Sequence, residues 1–227
     1  MACHLIIGAD RGIGLSISKM LADRGDDDVI SVCLNDGKAY AGTKVKVIPN
    51  IDVTSEGAVA NMAGALRKMD ARIDVVIHVA GVLGLDELGK IDYNDVRRQF
   101  EINTIGPLRV VEALLPFLSQ GSKVGVITSR VGSLSDNGSG GMYAYRLSKA
   151  GANMVVLNLH HDLSKQGVAV CALHPGAVAT DLTKGYPGNY NYTTPDEAAT
   201  GLIARMDELT LESSGGFWHA NGTKLNW

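Results

Sequence analysis

Short, almost wholly apolar runs alternate with longer stretches of helical period along the whole chain. The runs at 4–7, 29–34, 44–48, 73–79, 123–128, 168–173 and 216–219 read as strands. Apart from 44–48, which alternates, they are too continuously apolar for a sheet with one wet face, so both faces must be covered. Between them, residues 12–24, 54–69, 92–119, 143–165 and 195–209 repeat apolar side chains at helical spacing. The segment 92–119 is expected to bend at Pro107 and Pro116. Strands buried on both faces and joined by right-handed helical crossovers predict an α/β fold. The expectation is a doubly wound, Rossmann-like parallel sheet of about seven strands with helices on both faces. At 227 residues, with no repeat, linker or low-complexity tract, the chain reads as a single domain over 1–227.

Composition narrows the partners. Apolar residues make up 45% and charged residues 20%, with a net charge of -3, which suits a globular chain and offers no basic excess for nucleic acid. Cys3, Cys33 and Cys171 are scattered, which argues against a disulfide framework and a zinc site, so no metal is expected. No apolar run reaches the length of a membrane span. The start of the chain runs into a strand without a basic leader, so a cytoplasmic protein is expected. The apolar surplus of the two long helices, with Met154, Val155, Val156, Leu157 and Leu159 on the second, points to deep burial or a homodimer or homotetramer interface.

The first strand ends in Gly8-Ala9-Asp10-Arg11-Gly12-Ile13-Gly14 and a helix follows. Glycines allow a tight turn and a close phosphate, and the helix N-terminus offers free N–H groups. This GxxxGxG is not the GxGxxG spacing, and taken alone it serves packing as well as cofactor binding. Arg11 is placed to meet an adenosine 2′-phosphate, or else is a solvated surface arginine. An acidic residue at the end of the second strand would favour a free 2′-hydroxyl, but Cys33 and Leu34 stand there and Asp36 comes late. NADP(H) is favoured and NAD(H) remains open.

Tyr145 and Lys149 stand four apart on a predicted helix, so they share a face. A nearby ammonium favours the phenolate, which suits proton exchange with a substrate oxygen near neutral pH. Ser129 follows the strand at 123–128, where a side chain faces the ligand crevice of such a fold. Tyr143, two residues from Tyr145, turns away from the lysine's face and is expected to border the substrate pocket or pack. Arg130 reads as a substrate contact or a surface arginine. The irregular stretch 182–194 carries Tyr186, Tyr190 and Tyr192, and is either a substrate loop that closes as a lid or a plain surface loop. His160, His161 and Asp162 diverge around a helix. His174 and Cys171 read as packed residues.

Together these motifs resemble the short-chain dehydrogenase/reductase family over essentially the whole chain. The resemblance assigns the cofactor turn to Gly8, Asp10, Arg11, Gly12, Ile13 and Gly14, and the adenine contact to Asp52 and Val53. It assigns Ala80 and Gly81 to the loop after the fourth strand. Pro175, Gly176, Val178 and Thr180 fall in the loop that orients the nicotinamide. It implies a catalytic set of Asn103, Ser129, Tyr145 and Lys149, with Asn103 holding a water that relays protons from Lys149. The segments SRVGS, YAYRLSK and GGFWHANGTKLNW are similar to the branch with sniffer-type carbonyl reductases and bacterial C-factor proteins. Three departures stand out: Ile7 in place of a threonine, His78-Val79 in place of an Asn-Asn pair, and Leu34 in place of an NADP-reading arginine. The implied activity is NADP(H)-dependent interconversion of a small-molecule carbonyl and alcohol, with Tyr145 as general acid and base. A nucleotide-bound regulatory or signalling protein is the alternative. An epimerase or dehydratase is a third option, disfavoured because only about 50 residues follow Gly176.

Overall fold

The computed structural model describes residues 2–186 and 190–227. Residues 187–189 of the 182–194 stretch lie outside the described residues. Seven parallel strands form one sheet in the order β3-β2-β1-β4-β5-β6-β7. They are β1 (Cys3–Ile7), β2 (Asp28–Val32), β3 (Lys46–Ile48), β4 (Val75–His78), β5 (Lys123–Ile127), β6 (Ala169–His174) and β7 (Gly216–His219). The chain starts at mid-sheet, winds out to β3, returns beside β1 and winds out the other way. The strand order therefore reverses between β1 and β4, where a doubly wound sheet opens a crevice at its C-terminal edge.

Alternation along each strand divides the core between two faces. Leu5, Ile7, Val76, Val124, Val126 and Val170 face one side. There they meet α2 (Glu56–Lys68), α4 (Gly106–Leu114) and α5 (Tyr143–Leu163) through Met62, Leu66, Val110, Leu114 and Val156. Ile6, Ile77, Ile127, Cys171 and Leu173 face the other side. They meet α1 (Gly12–Asp23) and α6 (Pro195–Glu208) through Ile17, Leu21, Leu202, Ile203 and Met206.

Local chemistry sets the helix starts. Ser55 accepts the Ala58 amide at 3.2 Å and opens α2. Thr194 and Glu197 form a reciprocal capping box around Pro195 at the start of α6.

The expected long helix at 92–119 is divided. It comprises α3 (Tyr93–Phe100), a single wide turn over Glu101–Ile105, α4, and a tight turn over Leu115–Phe117. Gly106 donates its N–H to the Glu101 carbonyl, five residues back. Proline at 107 has no N–H to return to the carbonyl of Asn103, so the ordinary ladder fails there and the turn widens. Glycine is required at 106, because a Cβ would lie 2.9 Å from Val53 Cγ2. Leu108, Leu115, Leu147 and Met154 remain exposed on the long helices. Among the described residues, no helix is long and apolar enough to cross a membrane.

Candidate active site

The C-terminal edge of the sheet opens into a cleft of about 1260 Å³. It runs from the glycine turn after β1 to the loops after β5, β6 and β7. Gly8 has φ +80, and a Cβ there would lie 2.5 Å from the Ala80 nitrogen. Gly14 sits behind the cleft wall, where a Cβ would fall 2.3 Å from the Gly8 carbonyl oxygen. One glycine thus lets the chain turn, and the other lets α1 press onto β1. The N-terminus of α1 has no side-chain cap. Its first-turn amides, at Gly12, Ile13 and Gly14, have no partner within the helix. A bare helix start, backed by glycines and facing a cleft of this size, fits a dinucleotide's pyrophosphate.

The remaining cofactor positions expected from sequence fall as follows. Asp52, Val53, Ala80, Gly81, Pro175, Gly176, Val178 and Thr180 all line the cleft. Asp10 also lines it, but its carboxylate accepts the amides of Leu34 and Asn35, each at 2.8 Å. Its side chain therefore shapes the turn after β2. Arg11 reaches across the cleft to Asp181 at 3.1 Å, with its side chain 76% exposed. Leu34 lines the cleft as an exposed apolar side chain, while Lys38 pairs with Asp36 at 2.7 Å.

At the other end of the cleft, α5 presents Tyr145 and Lys149, both buried. The Lys149 ammonium sits 5.7 Å from the centre of the Tyr145 ring and donates to the Ile127 carbonyl at 3.1 Å. Ser129, just past β5, is buried and lines the same cleft. Asn103 lies behind the wall, on the wide turn. Its Nδ2 donates to the Val82 carbonyl at 2.8 Å and to Ser148 Oγ at 2.9 Å, and its Oδ1 accepts the Val82 amide at 2.9 Å. A Cβ on Gly81 would lie 3.1 Å from Asn103 Oδ1 and 3.5 Å from Lys149 Nζ, so glycine at 81 keeps the approach to both open.

Electrostatics corrects the expectation of an acidified phenol. Burial pushes the Tyr145 pKa above its ordinary value, and the Ser129 hydroxyl acts in the opposite sense without reversing it. Burial also brings Lys149 down to about 8. Spacing reports the lysine's charge but not the loss of water around both groups, and here desolvation dominates. His78, in place of the family's asparagine, is buried. Desolvation first and the Lys149 charge second hold it near a pKa of about 3, so its imidazole is neutral.

Of the expected substrate residues, Arg130 and Tyr186 line the cleft. The Tyr186 hydroxyl meets Met142 Sδ at 3.2 Å, and its ring lies 5.4 Å from that of Tyr190. Tyr190 and Tyr192 line the cleft as well. Tyr143 does not. At the first position of α5, its ring is exposed, away from the cleft wall.

Sequence reasoning missed Asp86. Its carboxylate accepts the amides of Tyr143 at 2.6 Å and Ala144 at 2.7 Å, so it caps α5 from 57 residues away. The helix that carries Tyr145 is therefore set by a distant residue with no local signal. Met142 precedes it at φ +51, a left-handed position that removes any ordinary local cap.

Comparison with known proteins agrees with this geometry. The family model for short chain dehydrogenase matches residues 2–191, and the chain belongs to that family. It is thus an oxidoreductase enzyme of the short-chain type. It is 57% identical over all 227 residues, covering 100% of both chains, to 1-hydroxy-2-glutathionyl-2-methyl-3-butene dehydrogenase of Rhodococcus sp. (strain AD45). Among solved structures, it superimposes on the carbonyl reductase Sniffer of D. melanogaster with a TM-score of 0.90, at 24% identity and 100% coverage of each chain. The NADPH-bound carbonyl reductase from chicken fatty liver gives a TM-score of 0.89 at 26% identity, covering 100% of this chain and 99% of that one.

Proposed function

We propose that the chain interconverts an alcohol and a carbonyl with NADP(H), accepting NAD(H) as well. The observation that carries this reading is the convergence of Ser129, Tyr145 and Lys149 on one cleft that continues to an uncapped helix start behind the glycine turn. The nicotinamide cofactor, when bound, supplies or accepts the hydride. The chain's own residues supply position and protons. Ser129 orients the substrate oxygen. Tyr145 is the acid in reduction and the base in oxidation. Its raised pKa keeps the proton on the phenol oxygen, which is the form reduction needs. Lys149 holds positive charge beside the ring and eases the phenol's loss of a proton in the oxidative direction. Asn103 fastens the Val82 backbone to α5 through Ser148, and its carbonyl, unclaimed by Pro107, is positioned to hold a relay water.

NADP(H) is favoured by Arg11 at the mouth of the adenosine end, and the NADPH-bound carbonyl reductase of the same fold supports it. The oxidative direction and the substrate type are supported by the 57% identical dehydrogenase, whose name specifies a glutathionyl alcohol. We read the substrate of this chain as an alcohol of that kind, a small hydroxyalkyl group bearing a thioether-linked peptide. The exposed Leu147 and Met154 of α5 support association of two copies. The regulatory reading is the weaker one; the oxidoreductase reading is supported by Ser129, Tyr145 and Lys149 lining one cleft, with Asn103 on the turn behind its wall.

The test is to mix the protein with 1-hydroxy-2-glutathionyl-2-methyl-3-butene and NADP+ or NAD+, and to follow reduced nicotinamide by absorbance. Turnover with either supports the reading. Binding of the cofactor without turnover of this alcohol, or of a panel of ketones and aldehydes in reverse, contradicts it.

A further inference from the structure

The strand order places three side chains beyond Ser129, on the side away from the cofactor turn. Arg130 follows β5, His174 ends β6, and His219 ends β7. All three line the cleft. Arg130 grips Asp136 with Nε and Nη2, and its side chain stays 61% exposed. Arg146 stands nearby and spends its guanidinium on neutral acceptors: the carbonyls of Gly141 and Val131 and the hydroxyl of Ser139. Both arginines act on the one carboxylate of Asp136. The nearby carboxylate of Asp86 is spent on the amides that start α5. The outer mouth of the site thus holds two arginines against two carboxylates, Asp136 held by Arg130 and Asp86 held by backbone amides.

His219 adds a directed donor. Its Nδ1 accepts the Asn221 amide at 3.0 Å, so the neutral ring carries its proton on Nε2. That Nε2 faces the Gly176 turn, 3.4 Å from where a Cβ would stand. The His174 ring meets it edge-on at 5.0 Å and fixes its plane. From β5 to β7 is two strand spacings, about 10 Å, close to the reach of an extended tripeptide.

We propose that Arg130 and His219 form a carboxylate subsite that holds the anionic peptide tail of the substrate while its hydroxyl lies at Ser129 and Tyr145. This rests on the reading of the substrate given above. Asp136 occupies Arg130 in the free protein and competes with the tail's carboxylate for it.

Equilibrium binding of S-methylglutathione to the NADP+-loaded protein tests the subsite without turnover. Arg130→Gln is expected to weaken binding at least ten-fold, and Arg130→Lys to recover part of the loss. Asp136→Asn is expected to tighten binding several-fold, which a merely structural Arg130–Asp136 pair would not do. The diethyl ester of S-methylglutathione is expected to bind as weakly as the acid does to Arg130→Gln. Failure of the wild type to bind the acid, equal binding of acid and ester, an unchanged affinity in Arg130→Gln, or parallel weakening in Arg130→Gln and Asp136→Asn each overturns the subsite. If binding depends on Arg130 but the glutathionyl alcohol is not oxidised, the subsite stands and the proposed reaction falls. If the alcohol is oxidised and Arg130→Gln binds normally, the reverse holds.

Discussion

Lys149 lies one helical turn along α5 from Tyr145, its ammonium 5.7 Å from the ring centre and bonded to the Ile127 carbonyl at 3.1 Å. Both groups are buried, and each resists its charged form. The lysine retains its proton at neutral pH at a cost to the fold.

That cost is measurable. Burial brings Lys149 down to about 8 in the folded chain from the ordinary lysine value of 10.5. A base with a depressed folded pKa destabilises the fold fully below that pKa, and the penalty fades as pH rises toward the unfolded value. Lys149→Met is therefore expected to stabilise the protein at pH 7, by up to roughly 3 kcal/mol at about 1.4 kcal/mol per pKa unit. The gain should vanish near pH 10 to 11. Urea unfolding at the two pH values checks this, and a methionine variant less stable at pH 7 contradicts it.

The same titration governs the rate. Carbonyl reduction uses a cationic Lys149 beside a protonated phenol, so kcat/KM is expected to fall as pH rises through about 8. A profile that stays level to pH 10 would separate Lys149 from the chemistry.

Gly8→Ala places a methyl 2.5 Å from the Ala80 nitrogen at φ +80. The expected outcome is a loss of about 1–3 kcal/mol of stability together with weaker cofactor binding, because the turn must open. Thermal melts with and without NADPH measure both. An alanine variant with normal melting and a normal cofactor-induced shift would show that the turn tolerates a side chain.

Arg11→Gln removes the 3.1 Å contact to Asp181 and the cation at the adenosine end. NADPH affinity is expected to drop about ten-fold, with NADH affinity changed less than two-fold, since only the former carries a 2′-phosphate. Equal losses for both cofactors in titration calorimetry would assign Arg11 to fastening the loop at Asp181 instead.

Much of this was legible in sequence where the cause is local. Tyr145 and Lys149 share a face because four residues make about one helical turn, and Gly8, Gly12 and Gly14 mark a turn no other residue makes cheaply. The layered sheet followed from runs that are apolar over most of their length, such as Leu5-Ile6-Ile7 and Val75-Val76-Ile77. What escaped is non-local or collective. Asp86 caps α5 from 57 residues away. The widened turn at Glu101–Ile105 needs Gly106 against Val53 as well as Pro107. Asp10 and Arg11 sat in the expected loop, yet their partners are the Leu34 and Asn35 amides and Asp181. The direction of the Tyr145 shift depends on burial, which spacing between two residues does not report.

The central claim is that the Tyr145 hydroxyl moves the proton. Single-turnover reduction by Tyr145→Phe, in protein shown by fluorescence to bind NADPH as tightly as wild type, tests it most directly. The account predicts a rate lower by a factor of about 10²–10⁴, with cofactor affinity unchanged. A phenylalanine variant that reduces carbonyl within a few-fold of the wild-type rate would contradict it.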